Sequence, residues 1–313
     1  MLFFVSIGII AEHDILKGWY LDLGFIGGDK KLTICRLTLN TCAMNYKKNT
    51  VNTWILFLVS VLVLLLPVKV PAKNRPFYFV QITDTHLGIL ENRNRTRKVV
   101  AAINDLPMKI VFVVHTGDIY DRTSRKDEKA IARAAEVFRD LKPPLYFLPG
   151  NNEINLTRDT RESRKRYTQH FGPLVSGAEH NGVYFLFAYT DPLRESLSMA
   201  GFDPVLEIKK GLKKANGKPV ILFHHGPSVR DFYNNQYHDG WEKKVQDQWQ
   251  GLVNQDNIKA VIAGHFHRDE FHWLGDVPLY IAGPVAEKYG RQACFRIYEY
   301  QDGRVGYTTQ YLE

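Results

Sequence analysis

Carboxylate, amide and imidazole side chains close one apolar run after another along this chain. Asp84 and His86 follow residues 77–83, and Asp118 follows 110–114 within Gly117-Asp118-Ile119-Tyr120-Asp121-Arg122. Asn151 stands in Gly150-Asn151-Asn152-Glu153 after 145–148. His224 and His225 end the run 220–223, and His265 and His267 follow 260–263. A mixed carboxylate, amide and imidazole set suits Zn, Mn or Fe better than an all-oxygen Ca site or a thiolate-rich structural Zn site. Asp84 and His86 are two residues apart, as are His265 and His267, so extended backbone would point each pair to one side. Either pair alone is a weak signal. The ordered series, each member at the end of a β-like run, makes chance a poor explanation.

Such residues must be positioned by elements that all end at one edge. From residue 77 onward the sequence alternates β-like and helix-like segments. Strands are expected at 77–83, 110–114 and 144–148, with helices at 96–105 and 127–141 between them. A second half expects strands at 183–188, 220–223 and 258–263, and helices at 204–214 and 241–253. Parallel strands joined by crossover helices are the natural reading. The tail changes to strands at 278–282, 293–300 and 305–311, with an Asp302-Gly303 hairpin signal. No linker rich in Pro, Gly or Ser divides residues 73–313, so a single domain is expected there.

The series D-x-H, G-D-x-x-D-R, G-N-x-E, H-H and G-H-x-H resembles the calcineurin-like metallophosphoesterases over about residues 77–282. The resemblance implies an α/β fold, a four-layer αββα sandwich of two mixed sheets, with a dinuclear centre at the sheet edges. It implies two divalent or trivalent ions (Mn, Zn or Fe). One would be held by Asp84, His86, Asp118 and His267, and the other by Asp118, Asn151, His224 and His265. Asp118 would bridge, while His225, Asp121 and Arg122 would orient ligands or phosphate. Hydroxide shared between the ions would attack phosphorus in line.

In most of this family a His that assists the leaving group follows the motif's Asn. Here Asn152 stands there and cannot act as an acid near neutral pH, leaving His225 or His238 as substitutes. The expected catalytic set is therefore Asp118, His225, Asn152 and Arg122. The expected substrate is a small phosphate ester, with a slight preference for a phosphodiester. A broad phosphomonoesterase and a non-catalytic scaffold on the same fold are the alternatives. Arg93, Arg95 and Arg97 could reach a phosphate, and the loop 227–240 borders the site by topology.

Charge and cysteine set the remaining bounds. The formal charge of +8 is modest, and the 41 Lys and Arg residues are dispersed without an aromatic stacking motif, so no nucleic-acid partner is expected. Residues 54–66 form an uncharged apolar run behind Lys47-Lys48 and ahead of Val70-Pro71-Ala72. That pattern reads as a signal peptide over 44–72, with a membrane anchor as the alternative, because a full span needs about 20 apolar residues. A secreted or periplasmic location is expected, with any membrane contact only through this segment. Met44 would be a natural start, which makes 1–43 a doubtful extension and 73–313 the working domain. Of the three cysteines, only Cys294 lies in that domain, so its stability must come from its core.

Overall fold

The computed structural model describes residues 75–229, 241–254, 257–287 and 290–312, together with the paired two-residue strands Leu16–Lys17 and Ala43–Met44. The chain divides into two compact units, Met1–Ala72 and Lys73–Glu313. The apolar run 54–66, His238 and most of the loop 227–240 lie outside the described residues.

In the larger unit the strands are β1 Phe77–Ile82, β2 Ile110–His115, β3 Leu145–Phe147, β4 Val175–His180, β5 Val183–Ala188 and β6 Val220–Phe223. They continue with β7 Ile258–Ala263, β8 Glu270–Leu274, β9 Val277–Ile281, β10 Cys294–Gln301 and β11 Arg304–Tyr311. The main helices are α1 Leu90–Asn104, α2 Glu128–Glu136, α3 Thr160–Phe171, α4 Pro204–Ala215 and α5 Lys243–Val253. Local chemistry sets several helix starts. The Asp127 side chain accepts the Ala130 N–H at the start of α2. Asp203 does the same for Leu206 at the start of α4, where Pro204 has no N–H to leave unpaired.

Two mixed sheets result. One runs β8-β9-β7-β6-β5-β4 and the other β11-β10-β1-β2-β3. Period-two alternation then makes four layers. Phe79, Phe112, Phe185, Phe187, Phe223 and Tyr298 fill the space between the sheets. Val80 and Ile82 pack instead with Val99, Val100 and Ile103 of α1. On the other side Leu186, Val220 and Leu222 pack with Ile208 and Leu212 of α4 and Trp249 and Leu252 of α5. The expected αββα sandwich is what forms. Two expectations change: α1 begins at Leu90 rather than 96, and α2 ends at Glu136 rather than 141.

Pairing β1 with β2 and β2 with β3 is parallel, as is β5 with β6, β6 with β7 and β7 with β9. Carboxyl ends of β1, β2, β3, β6 and β7 therefore converge at one edge, where open α/β sheets bind their ligands.

Candidate metal centre

Beyond the ends of the strands the backbone turns sharply. Asp84 (φ 52°), His86 (φ 41°), Asp118 (φ 54°), His265 (φ 71°) and His267 (φ 56°) all adopt left-handed conformations. For non-glycine residues each costs about 1–3 kcal/mol, and such strain gathers at functional sites where the surroundings over-determine it. Here main-chain bonds impose it: Asp84 N–H donates to the Gly117 carbonyl and His86 N–H to the Asp118 carbonyl, both at 3.0 Å. The two D-x-H and H-x-H pairs thus converge through left-handed turns, not through extended backbone as their spacing predicts. Gly117 also has positive φ (96°), and a Cβ there would lie 2.6 Å from His225 Nδ1 and 2.7 Å from Gly150 N. Only glycine lets these three loops meet.

Two clusters form at this edge. In the first, His267 Nε2 is 3.1 Å from Asp84 Oδ1, and His86 Nε2 is 3.2 Å from His267 Nε2. In the second, His225 Nε2 is 3.4 Å from Asp118 Oδ1, 3.1 Å from His265 Nδ1 and 3.2 Å from Asn151 Oδ1. The other Asp118 oxygen, Oδ2, lies 3.9 Å from His86 Nε2 in the first cluster. One carboxylate therefore presents an oxygen to each group. Ligand bonds of about 2.0–2.2 Å put neighbouring donor atoms roughly 3–3.6 Å apart, so these separations suit donors arranged around an ion. Two metal ions fit the donor set.

The ligand assignment needs one correction. His225, not His224, joins the second cluster. His224 Nδ1 lies 3.3 Å from Thr190 Oγ1, and its ring packs 5.1 Å from Trp249 and 5.8 Å from Trp241. Alternation along β6 explains this. Val220 and Leu222 face the helices, and His224 keeps their parity, while His225 keeps the parity of Ile221 and Phe223 in the space between the sheets. That parity was the available signal in the sequence. His225 Nδ1–H donates to the Thr116 carbonyl at 2.7 Å, which turns the Nε2 lone pair toward the cluster.

The protonation states follow from burial and charge. Burial alone would raise the Asp84 carboxyl, but His267, His225 and His86 hold it well below the usual range. Asp118 is likewise held low against its burial, chiefly by His225 and then His86. Burial depresses the His225 imidazole, yet Asp118 and Asp84 carry it up to about 10. Cations replacing that proton would find both carboxylates ionised. His224 and His115 are instead pushed down to about 3 by burial, so each is neutral.

Around the clusters stand residues that position them. Glu153 is fully buried and accepts N–H bonds from Asp118 (3.0 Å), Ile119 (2.9 Å), Tyr120 (3.3 Å) and Gly150 (2.7 Å). Burial and the Asp118 charge push its carboxyl up, and the backbone donors oppose that rise. The sequence motif contained Glu153 but gave it no role. Arg125 is a second support of this kind. Its Nε donates to the Asn152 carbonyl (2.6 Å) and its Nη2 to the Asn151 carbonyl (2.8 Å). An arginine within a charged 3-10 helix carries no sequence signal for such a task.

Asn152 is buried, with Nδ2 2.9 Å from His86 Nδ1 and 3.3 Å from the Tyr120 carbonyl. It holds a candidate ligand rather than facing open space. Asp121 caps the 3-10 helix Arg122–Lys126 through the Thr123 N–H (2.9 Å). Arg122 is exposed and lines a cleft that includes Asn151. Arg93, Arg95 and Arg97 sit on α1, where Arg95 engages Glu91 and the Arg291 carbonyl.

Comparisons with known proteins agree with this fold. Residues 77–269 match the family model of the calcineurin-like phosphoesterases. A protein of Colwellia psychrerythraea named a probable cyclic nucleotide phosphodiesterase is 27% identical over 208 residues, 63% of this chain and 73% of that one. A probable glycerophosphodiester phosphodiesterase of Arcobacter nitrofigilis is 26% identical over 213 residues, 60% of this chain and 71% of its own length. Among solved structures, a dimetal phosphatase from Danio rerio superposes with a TM-score of 0.55 at 13% identity, covering 76% of this chain and 99% of that one. A purple acid phosphatase from yellow lupin gives 0.57 at 13% identity over 77% of this chain, which spans 53% of the lupin protein. These last two share the fold.

Proposed function

The chain belongs to the calcineurin-like phosphoesterase family, whose members hydrolyse phosphate esters, and from that premise we propose that it is a phosphodiesterase. The observation that carries the dinuclear reading is the Asp118 carboxylate, with one oxygen toward His225 and the other toward His86. Asp84, His86, Asp118 and His267 would hold one ion, and Asp118, Asn151, His225 and His265 the other. Bound there, such a pair supplies Lewis-acid neutralisation of phosphoryl oxygens and a lowered pKa for water. Mn, Zn and Fe all suit these donors.

The chain's own groups supply geometry. Glu153 fixes the loops that carry Asp118 and Asn151, Thr116 sets the His225 tautomer, and Asn152 orients His86. Preference for a diester rests on what Asn152 lacks. Its amide has no titratable proton, and His225, the substitute acid considered from sequence, is occupied by the ligand set. Without an acid at this position, departure of a poor alkoxide leaving group is slower by about 10²–10⁴-fold. A diester with an acidic leaving alcohol needs that proton least.

The test is to purify residues 73–313, load Mn or Zn, and compare bis(p-nitrophenyl) phosphate with p-nitrophenyl phosphate. A higher kcat/KM on the diester is expected. Preference for the monoester would contradict the substrate class, and bound metal with no turnover of either ester would favour a scaffold. We also propose export, on the strength of the apolar run 54–66 behind Lys47-Lys48. N-terminal sequencing of native protein should find a start near residue 73; a start within 1–43 would contradict it.

A further inference from the structure

Beside the second cluster lies a cleft of about 400 Å³ that opens on Asn151. Arg122, Arg125, Arg158 and Arg194 line it, with Asp191 and Glu195 as its carboxylates. Four guanidinium groups against two carboxylates leave an excess of two positive charges. The pairing is uneven. Arg194 takes both acids, with Nε 3.3 Å from Asp191 Oδ1 and Nη2 on Glu195. Arg125 is buried and committed to the Asn151 and Asn152 carbonyls. Arg122 and Arg158 are exposed, and neither has an acidic partner among the described residues. Solvated arginines on a convex surface would be ordinary. These two instead line a concavity that a candidate metal ligand, Asn151, also lines.

Its walls are tied to the reaction centre at two points. Arg125 holds the main chain of Asn151, whose Oδ1 is 3.2 Å from His225 Nε2. Arg194 lies against Gly226, directly after His225, closely enough that a Cβ there would come within 2.6 Å of Arg194 Cδ. Asp118 also contributes to the raised pKa of Arg194, behind burial, which lowers it, and the larger effects of Asp191 and Glu195. Ile154, Leu156 and Leu197 add an apolar wall.

We propose that this cleft receives a second anionic group carried on one arm of the phosphodiester substrate, a carboxylate or a further phosphate, paired by Arg122 and Arg158. The inference deepens the phosphodiesterase reading and rests on it. A planar guanidinium matches either anion in a two-pronged geometry, which is where arginine outperforms lysine. An exposed charge pair is worth up to about fivefold, so two of them together give about a tenfold preference.

The test compares two nitrophenyl phosphodiesters on the metal-loaded protein, one with a neutral ethyl arm and one with a carboxylate-bearing arm. Calorimetric titration with 4-phosphonobutyrate and butylphosphonate reads the same preference without turnover. The anionic arm should raise kcat/KM and affinity about tenfold. Arg122→Gln and Arg158→Gln should each shrink that ratio severalfold, and the double substitution should bring it close to one. Wild-type ratios near one, with both esters hydrolysed, would overturn the cleft assignment alone. So would variants that slow both esters equally and keep the ratio. Turnover of neither ester would overturn the phosphodiesterase reading and, with it, this inference.

Discussion

A carboxylate placed between two imidazole clusters cannot be replaced by an amide without losing charge at both. Asp118→Asn should therefore weaken both ions and abolish turnover, because the amide offers one neutral oxygen where two charged oxygens stood. Full activity in that variant would contradict the bridging role. The His224 and His225 pair is a sharper test. His225→Ala should deplete the second ion, whereas His224→Ala should chiefly lower thermal stability by emptying space against Trp241 and Trp249. Metal analysis and calorimetry on both variants would check this, and depletion confined to His224→Ala would reverse the assignment. Asn152→Ala should lower affinity for the first ion about 10–100-fold, the usual effect of removing a group that orients a ligand. Unchanged metal affinity would leave its 2.9 Å contact with His86 without consequence.

At the scale of elements, strands buried on both faces were legible because their apolar runs are continuous. The run 220–223 and the strand 183–188 coincide with β6 and β5. Missed strands have a common cause. β4 (VSGAEH) and β8 (EFHWL) are the two edges of the six-stranded sheet, partly exposed, and so carry polar residues that break the apolar pattern. Motif order identified the candidate ligands except at His224-His225, where adjacent histidines left strand parity to decide. Asp84, His86, His265 and His267 meet through left-handed turns rather than through the extension that their spacing predicts. The main-chain supports from Glu153 and Arg125 were illegible, because a donor to a distant carbonyl leaves no periodicity in sequence. A test belongs to the turn itself. Gly117→Ala would add a Cβ against His225 and Gly150 in a left-handed conformation, and should destabilise the fold by several kcal/mol, about the combined cost of strain and overpacking. A thermal midpoint unchanged by that substitution would show that the loops have room to relax.

For the whole molecule, stability should depend on acid in a definite direction. His115 and His224 are neutral in the fold, with pKa values near 3 against an ordinary value of 6.5. Below about 6.5 the unfolded chain takes up protons that the native chain does not, so stability falls as pH drops from 6.5 toward 3. His225 has the opposite sign. Raised to about 10, it contributes fully below 6.5 in the metal-free protein and loses that contribution as pH rises through 10. Glu153 opposes His115 and His224, because its raised carboxyl keeps a proton that the unfolded chain loses above about 4.5, but two imidazoles outweigh one carboxyl. Calorimetry in the presence of a chelator should accordingly show a thermal midpoint that declines from pH 6.5 to 4; a rise over that range would contradict the burial of two neutral imidazoles. Metal loading should raise the midpoint at neutral pH, because ions that bind only the native state stabilise it by mass action. The expectations that concern metal and turnover depend on two ions sharing one carboxylate. The most direct measurement is therefore the number of ions bound per chain in the wild type and in Asp118→Asn, determined by elemental analysis after equilibrium dialysis against Mn or Zn. Two ions per wild-type chain, with both sites depleted in the variant, is the predicted result. A single ion in the wild type, or two retained by Asp118→Asn, would contradict it.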